Sequence, residues 1–443
     1  MGVVGPGQGI RSHSDDEGNR VTATSAGTNW AGNLSYRASR LARPGSIEEL
    51  REVLAGDGPF RVLGSRHSFN DIADTEGTLI ETAGLPVVID ASSAPGAVRI
   101  TGSPRYGELA SALQARGLAL GNLASLPHIS VAGAVATGTH GSGDGIGSLA
   151  SAVRAIAFIT ATGESRTLER GDADFAGAVV NLGALGVVTA LELDVEPTYD
   201  VAQTVYERPA WSAVLAEYDA VTALGSSVSI FTTWASADRA DQLWVKRRLP
   251  VEADAAASAA LIARLGATEA TAPRHPLPGM AADACTAQLG EPGPWHERLP
   301  HFRLEFTPSA GEELQSEYLV PRSDAVAALE AMRGLAAKIA PLLQVCEVRS
   351  VRGDDLWLSP AYGADVVGIH FTWKREQAAV EALLPTIEAA LPETARPHWG
   401  KVFTLDADEV RRRYPRWADF AALRERFDPE GRFRNAYTAR LGL

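Results

Sequence analysis

The chain of 443 residues contains little cysteine and no excess of positive charge. Two cysteines, Cys285 and Cys346, cannot build a disulfide framework or a four-thiolate metal site. We therefore expect a reducing compartment and a cytoplasmic protein. The formal net charge of −13 argues against nucleic acid or an anionic membrane as the main partner. This balance suits an uncharged small-molecule substrate.

The sequence also lacks long apolar runs and internal repeats. No uninterrupted apolar stretch is long enough to span a membrane. Residues 1–19 contain no apolar segment of signal-peptide length, and we interpret residues 1–28 as a disordered leader. An apolar content of 45% and a charged content of 21% are ordinary for a globular chain with two or three domains.

Short apolar strands alternate with helical segments along most of the chain. Between residue 29 and Pro197 the pattern indicates a first α+β unit, and Pro197 marks its boundary. Beyond it, helices near 323–338 and 375–390 flank strands at 344–351 and 366–373. The sequence therefore predicts an α+β protein with units at 29–197 and 198–403, followed by a C-terminal segment at 404–443.

A histidine follows the short apolar strand at 61–63. The strand breaks at Gly64 and Ser65 into a turn that presents His67. Backbone amides at such a turn can hold an anion, and the imidazole can contact a ligand lying above it. Taken alone, a structural role for this histidine is the more common interpretation.

Small and hydroxylated residues dominate positions 121–143. Small side chains let the backbone approach a ligand closely, and free amides with Ser and Thr hydroxyls suit a pyrophosphate. The stretch does not contain the Gly-x-Gly-x-x-Gly pattern, which disfavours a nicotinamide-binding Rossmann site. Tight packing of an Ala/Gly-rich helix explains the composition equally well.

Polar side chains alternate on two candidate strands of the second unit. Glu347 and Arg349 project to one face of the first strand, and His370 and Thr372 to one face of the second. With Lys401, they could line a polar floor that supplies donors and acceptors to a hydroxyl-rich substrate. The alternative is a solvated sheet face with ordinary ion pairs.

A metal site is disfavoured. His296 and His301 are five positions apart, which does not match the helical i, i+4 pair, and no acidic cluster accompanies them.

Together these stretches resemble the alditol oxidases, namely xylitol and sorbitol oxidases, of the vanillyl-alcohol-oxidase-like flavoprotein superfamily. The resemblance runs from TNWAGN at 28–33 to Asn435 and Ala436. Its most specific motifs are GSRHSFN at 64–70, ASLPHISVAG at 124–133, PWHERLPHFR at 294–303 and RPHWGKVF at 396–403. It implies a two-domain flavoprotein of the PCMH type, with an FAD-binding domain at 29–197, an inserted substrate domain at 198–403, and the segment 404–443 returning to the FAD-binding domain.

The resemblance implies FAD attached covalently to His67 through the flavin 8α-methyl group. Arg66 stands where these enzymes commonly have glycine, and His296 and His301 fall within a scaffold motif. The implied FAD-binding residues are Val62, Leu63, Gly64, Ser65, Arg66, His67, Ser68, Ser125, Ser130, Gly133, Thr137, Gly138, His140, Gly186, Val188 and His398.

Alcohol oxidation removes a hydride from carbon and a proton from oxygen, and only a cofactor can accept the hydride. The implied reaction oxidises the terminal primary hydroxyl of an alditol to the aldose and reduces dioxygen to hydrogen peroxide. The candidate catalytic residues are Arg349, Lys401, His370 and Glu347. Arg349 and Lys401 would stabilise the reacting oxygen, His370 is a candidate base, and Glu347 would mainly position the substrate. The implied substrate-binding residues are Ser125, Glu347, Arg349, Thr372 and Lys401.

Two alternatives stay open: an aldonolactone oxidase or dehydrogenase on the same scaffold, and a non-catalytic polyol-binding protein without flavin. We expect a monomer whose partners are a small polyol and dioxygen, with no nucleic acid, membrane or metal.

Overall fold

A computed structural model describes residues 26–92, 94–250, 254–306 and 312–443. The predicted leader therefore falls outside the described residues as far as residue 25. Its last residues pack against the protein, since Ala26 is buried and Thr28 forms an isolated bridge with Ser35.

Short strands form the sheets of the first half. In chain order they are β1 (Arg40–Ala42), β2 (Phe60–Leu63), β3 (Thr78–Glu81), β4 (Ile89–Asp90), β5 (Ala97–Thr101), β6 (Leu118–Ala119), β7 (Val153–Ile159), β8 (Ser165–Glu169), β9 (Val187–Asp194) and β10 (Glu196–Pro197). A three-stranded parallel sheet has the order β1-β3-β2. A five-stranded antiparallel sheet has the order β4-β5-β9-β7-β8, and β6 pairs with β10.

The second half is built on one nine-stranded sheet. Its strands are β11 (Asp200–Glu207), β12 (Ser227–Thr232), β13 (Gln242–Arg248), β14 (Thr268–Glu269), β15 (Pro292–Pro294), β16 (Glu313–Pro321), β17 (Leu343–Val351), β18 (Val366–Lys374) and β19 (Arg396–Pro397). Their order is β14-β11-β13-β12-β17-β18-β16-β19, and β15 also pairs with β11.

Helices cover these sheets. They are α1 (Ile47–Ala55), α2 (Tyr106–Gln114), α3 (Val131–Ala136), α4 (Phe175–Val179), α5 (Trp211–Ala216), α6 (Tyr218–Thr222), α7 (Ala255–Arg264), α8 (Ala325–Gly334), α9 (Ala336–Ile339), α10 (Gln377–Ala390), α11 (Ala407–Arg413), α12 (Trp417–Phe427) and α13 (Ala436–Arg440). Within the described ranges, no helix has the length and apolarity needed to cross a membrane. The mixture of helices with parallel and antiparallel sheets confirms the α+β prediction.

The C-terminal segment packs into the core of the first half. Tyr414, Trp417 and Tyr437 belong to the same buried apolar cluster as β5, α2 and β7. Arg61 on β2 fastens this arrangement, because its buried guanidinium donates to the carbonyls of Ile72, Leu182, Gly183 and Phe433. Each guanidinium NH₂ group thereby satisfies two backbone acceptors from segments far apart in the sequence. The domain boundary at Pro197 stays a prediction.

The strand register of the large sheet determines which polar side chains lie next to one another on the floor of the cavity. Glu317 on β16 and Glu347 on β17 both pair with His370 on the intervening β18. Side chains two residues apart on a strand share a face, so Arg349 lies on the same face as Glu347. The outcome is a row of charged and imidazole side chains drawn from three neighbouring strands.

Candidate active site

A cavity of about 560 Å³ lies between the turn after β2, helix α3 and the polar face of the large sheet. With the exception of Gly138, every site residue predicted from the sequence lines it. These residues are Val62, Leu63, Gly64, Ser65, Arg66, His67, Ser68, Ser125, Ser130, Gly133, Thr137, His140, Gly186, Val188, Glu347, Arg349, His370, Thr372, His398 and Lys401.

Gly138 does not line this cavity, and its assignment as a cofactor-binding residue stays a prediction. Its φ is +65°, and a Cβ there would lie 2.9 Å from Cδ of Pro360. Only glycine adopts this left-handed conformation readily in so crowded a place. The turn at Gly138 allows the neighbours Thr137 and Thr139 to line the cavity.

The turn after β2 brings the His67 ring to the cavity wall. The preceding residue, Arg66, has a φ of +61°, where an L side chain is strained. Its guanidinium donates to the carbonyls of Ala26 and Thr28 and pairs with Glu81 at 2.5 Å, and these contacts stabilise the strained turn. Arginine can therefore occupy a position that would suit glycine.

His67 is neutral and has spare hydrogen-bonding capacity. Burial, with a smaller contribution from Lys401, lowers the pKa of its imidazole to about 4. Its Nε2 atom is buried and has no hydrogen-bond partner among the described residues. The Trp30 ring lies 4.4 Å from the His67 ring, centroid to centroid, and holds its orientation. A neutral imidazole has a lone pair available for bond formation.

Two glycines of the cavity wall, Gly64 and Gly133, pack closely against Ser130. A Cβ on Gly64 would lie 2.4 Å from the Ser130 hydroxyl oxygen, and one on Gly133 would lie 2.7 Å from the same atom. This hydroxyl is buried and has no hydrogen-bond partner in the described part of the chain, whereas the Ser65 hydroxyl accepts a hydrogen bond from the Ser130 backbone amide at 3.1 Å. An unpaired buried hydroxyl beside such close backbone is typical of a cofactor cradle.

Glu317 organises the cations of the floor, and the sequence reasoning missed it. Its Oε2 accepts from Lys401 Nζ at 2.6 Å, and its Oε1 accepts from Arg349 at 3.1 Å. His140 Nε2 lies 3.1 Å from the same Oε1. Burial would raise the pKa of this carboxyl, but Lys401, His140 and Arg349 hold it well below its usual range. The available signal was an acid at the centre of a strand, directly before the apolar run Tyr318, Leu319 and Val320, because such a buried charge requires partners.

Glu347 forms a second anionic centre on the adjacent strand. Its Oε1 accepts from His301 Nε2 at 2.7 Å, while its Oε2 lies 3.6 Å from Arg349 Nε and 3.8 Å from His370 Nδ1. Burial opposes ionisation, but Arg349 and His301 hold the pKa of this carboxyl well below its usual range. His301 lines the cavity and therefore belongs to the site, which corrects its assignment to the scaffold.

Arg349 joins the two halves of the protein. It donates to the Ser125 hydroxyl at 3.1 Å, and the Ser125 carbonyl in turn accepts from the backbone amide of His301 at 3.0 Å. The floor is thus fixed against the loop that precedes α3. Because Arg349 also contacts Glu317, its guanidinium is held from two sides and is preorganised.

His370 is neutral and lies between the two acids. Burial, and then Lys401, lowers the pKa of its ring to about 4. Neither ring nitrogen has a hydrogen-bond partner among the described residues. A neutral ring of this kind can accept a proton from a hydroxyl in the cavity.

The described residues place no cysteine on the cavity wall and form no metal-binding cluster. Both cysteines are buried in apolar clusters and neither lines the cavity. In the part of the chain that the structure describes, no group of three or more His, Cys, Asp or Glu side chains is arranged to hold a metal ion.

Comparisons with known proteins agree with this geometry. Residues 38–169 match the family model of an FAD binding domain, and residues 311–441 match that of D-arabinono-1,4-lactone oxidase. Among solved structures, a cholesterol oxidase from B. sterolicum has a TM-score of 0.71 at 12% identity, covering 98% of this chain and 100% of that one. A glucooligosaccharide oxidase from Acremonium strictum has a TM-score of 0.69 at 16% identity, covering 93% and 94%. The fold and the cavity define a two-domain, FAD-dependent oxidoreductase of the PCMH type.

Curated relatives identify the family within this class. An alditol oxidase from a Streptomyces species is 48% identical over 94% of this chain and 98% of its own length. An L-gulono-1,4-lactone dehydrogenase from Mycobacterium tuberculosis is 30% identical over 94% of this chain and 98% of its own length. The chain belongs to the alditol oxidase family.

The residues present fit FAD. Gly64, Gly133 and Gly186 line the cavity and present no side chain that would keep a cofactor away from the backbone there. The unpaired hydroxyl of Ser130 and the unpaired Nε2 of His67 on the same wall remain available to a ligand.

Proposed function

We propose that this protein oxidises the terminal primary hydroxyl of alditols such as xylitol and sorbitol to the aldose. Bound FAD would accept the hydride, and dioxygen would then be reduced to hydrogen peroxide. The observation that carries the proposal is a floor of alternating cations and anions that faces His67 across one cavity. Such a floor matches a chain of hydroxyls, each of which needs both a donor and an acceptor.

The residues of this floor would have different roles in the reaction. Lys401 and Arg349 would stabilise the oxygen of the reacting hydroxyl as it loses its proton, because an unassisted alkoxide is very unfavourable in a dry cavity. His370 would accept that proton, since its ring is neutral and neither of its nitrogens has a hydrogen-bond partner among the described residues. Glu347 would accept a hydrogen bond from a further hydroxyl of the substrate, with Ser125 and Thr372 beside it.

We further propose that His67 carries FAD covalently. Its neutral imidazole with an unpaired Nε2 supports this role. The related glucooligosaccharide oxidase is described as containing 6-S-cysteinyl, 8α-N1-histidyl FAD. In this chain the two cysteines lie away from the cavity, so we expect only the histidyl bond.

Acid precipitation tests the covalent bond. The precipitate should remain yellow, and a tryptic peptide containing His67 should carry the mass of the flavin. His67→Ala should release all flavin into the supernatant, whereas His275→Ala, at another histidine of the cavity wall, should retain it. Flavin found entirely in the wild-type supernatant would refute covalent attachment without excluding FAD binding.

Substrate and acceptor assays test the reaction. Xylitol, sorbitol and a gulonolactone should be compared with dioxygen and with an artificial electron acceptor. We expect hydrogen peroxide from the two alditols and little reaction with the lactone. A preference for the lactone would favour the aldonolactone oxidase or dehydrogenase instead. A colourless protein that binds xylitol without oxidising it would favour a non-catalytic role. The monomeric state and the cytoplasmic location stay predictions.

A further inference from the structure

Lys246 is a buried cation outside the chemistry described so far. It lies on β13, has an exposure of 1% and is not part of the cavity wall. Its Nζ atom contacts three acceptors: the Leu299 carbonyl at 2.5 Å, the Pro300 carbonyl at 3.1 Å and His301 Nδ1 at 3.1 Å. Since burying a cation is costly, this placement requires an explanation.

The number of acceptors fixes the state of the neighbouring ring. An ammonium has three donors and no acceptor, so three contacts use all of its hydrogens. His301 Nδ1 must then accept, and the proton of the neutral ring must lie on Nε2. That Nε2–H is the group that donates to Glu347 Oε1 at 2.7 Å. The three side chains thus form a directed chain from Lys246 through His301 to Glu347.

The shared proton could in principle reside on the lysine or on the imidazole. Burial lowers the pKa of His301 to about 4, whereas it lowers the pKa of Lys246 only to about 7. The charged groups facing the ring, Lys246 on β13 and Glu347 and Arg349 on β17, act in opposite directions on it. The proton therefore resides on Lys246 in preference to His301.

We propose that Lys246 is a positioning residue for the substrate site. It keeps His301 neutral with its proton on Nε2, so that Glu347 receives one fixed hydrogen bond and keeps its second oxygen for Arg349 and a substrate hydroxyl. This role rests on the proposed binding of polyols. It explains why a lysine is buried behind the wall of the cavity and not within it.

The state of His301 can be tested without any substrate. In ¹⁵N NMR spectra of the flavin-loaded wild-type protein, the His301 signals should show a protonated Nε2 and an unprotonated Nδ1 at pH 6. In Lys246→Met, removal of the neighbouring charge should move the protonation of His301 upward in pH. A wild-type ring protonated at Nδ1, or His301 signals that do not change in Lys246→Met, would overturn the inference. The wild-type measurement decides even if the variant fails to fold.

A double-mutant cycle separates this role from general destabilisation. In anaerobic reduction, Lys246→Met should weaken xylitol binding about tenfold and change the limiting reduction rate far less. In a Glu347→Gln background the same change should have almost no further effect on binding, because the carboxylate that Lys246 positions is gone. Equal losses in both backgrounds would show a purely structural role. Lys374→Met, at an exposed lysine of the same sheet, is the matched control.

The NMR measurement and the reduction assay also distinguish this inference from the proposed function. If xylitol and sorbitol fail to reduce the wild-type flavin, the polyol proposal is wrong while the NMR result still decides the state of His301. If the wild type is reduced normally but His301 has the other tautomer, only the inference about Lys246 is wrong.

Discussion

Replacing Lys401 by methionine is the most direct test of the charged floor. The Lys401 side chain is 13% exposed, and its Nζ is held 2.6 Å from Glu317 Oε2. Methionine has a similar length and no charge, so the change removes a preorganised donor with little loss of volume. In comparable sites, removing one such donor raises the barrier by about 2.7–4 kcal/mol. The limiting rate of flavin reduction should therefore fall by about 100- to 1,000-fold.

Anaerobic stopped-flow mixing with xylitol measures this rate directly. The flavin absorbance of the variant should show that FAD remains bound, so that the loss belongs to the reductive step. Arg349→Leu should produce a loss of similar size, since Arg349 contacts the same carboxylate. Lys374→Met should react at the wild-type rate. Near-wild-type reduction in both Lys401→Met and Arg349→Leu would refute the role of this pair.

A second variant identifies the origin of the loss. Without Lys401, the charged partners that the described residues leave to the buried Glu317 carboxylate are Arg349 and His140. The resulting excess of negative charge could slow the reaction by itself. Adding Glu317→Gln to Lys401→Met removes that charge, and we expect the rate to stay low because the donor is still missing. Recovery to within about tenfold of the wild type would assign the effect to the unbalanced anion.

The remaining predictions concern oxygen, pH and stability. Ala124 lines the cavity beside Ser125, so Ala124→Val should slow reoxidation of the flavin by dioxygen more than reduction of the flavin by xylitol. Equal effects on both rates in stopped-flow measurements would place Ala124 in the substrate site. With the pKa of His370 at about 4, its ring can accept a proton above that pH, and pH-jump measurements should show reduction slowing as the pH falls through about 4. His370→Gln should lack this acid limb, and an unchanged limb would exclude His370 as the base. Arg61→Met should lower the free energy of unfolding by at least about 3 kcal/mol, because four backbone carbonyls lose a buried charged donor. Denaturant titration measures this loss, and Arg51→Met, at an exposed arginine, should cost less than about 1 kcal/mol in the same experiment. Equal losses in the two variants would contradict the stabilising role of the Arg61 hydrogen bonds.

Local patterns were sufficient to predict much of this protein. The strand and turn before His67 follow from a short strand pattern ending in Val62 and Leu63 that breaks at Gly64, and the structure contains β2 and this turn where predicted. The alternation of Glu347 and Arg349 determined their common face, because the side-chain period of a strand is two residues. Such features depend only on residues that are close together in the sequence, so they can be predicted without the tertiary structure.

Only the tertiary structure decided which distant residues meet at the floor. The sequence patterns did not single out Glu317 or Lys246 and placed His301 only in a scaffold motif, because the partners of these residues lie on strands and loops far apart in the chain. The pairing of β16 and β17 on either side of β18 brings the two acids to one row. A buried charge is stable only beside its partners, and sequence spacing does not reveal them. The crowding of Gly138 against Pro360 was likewise invisible in the sequence, because the two residues meet only in the folded chain.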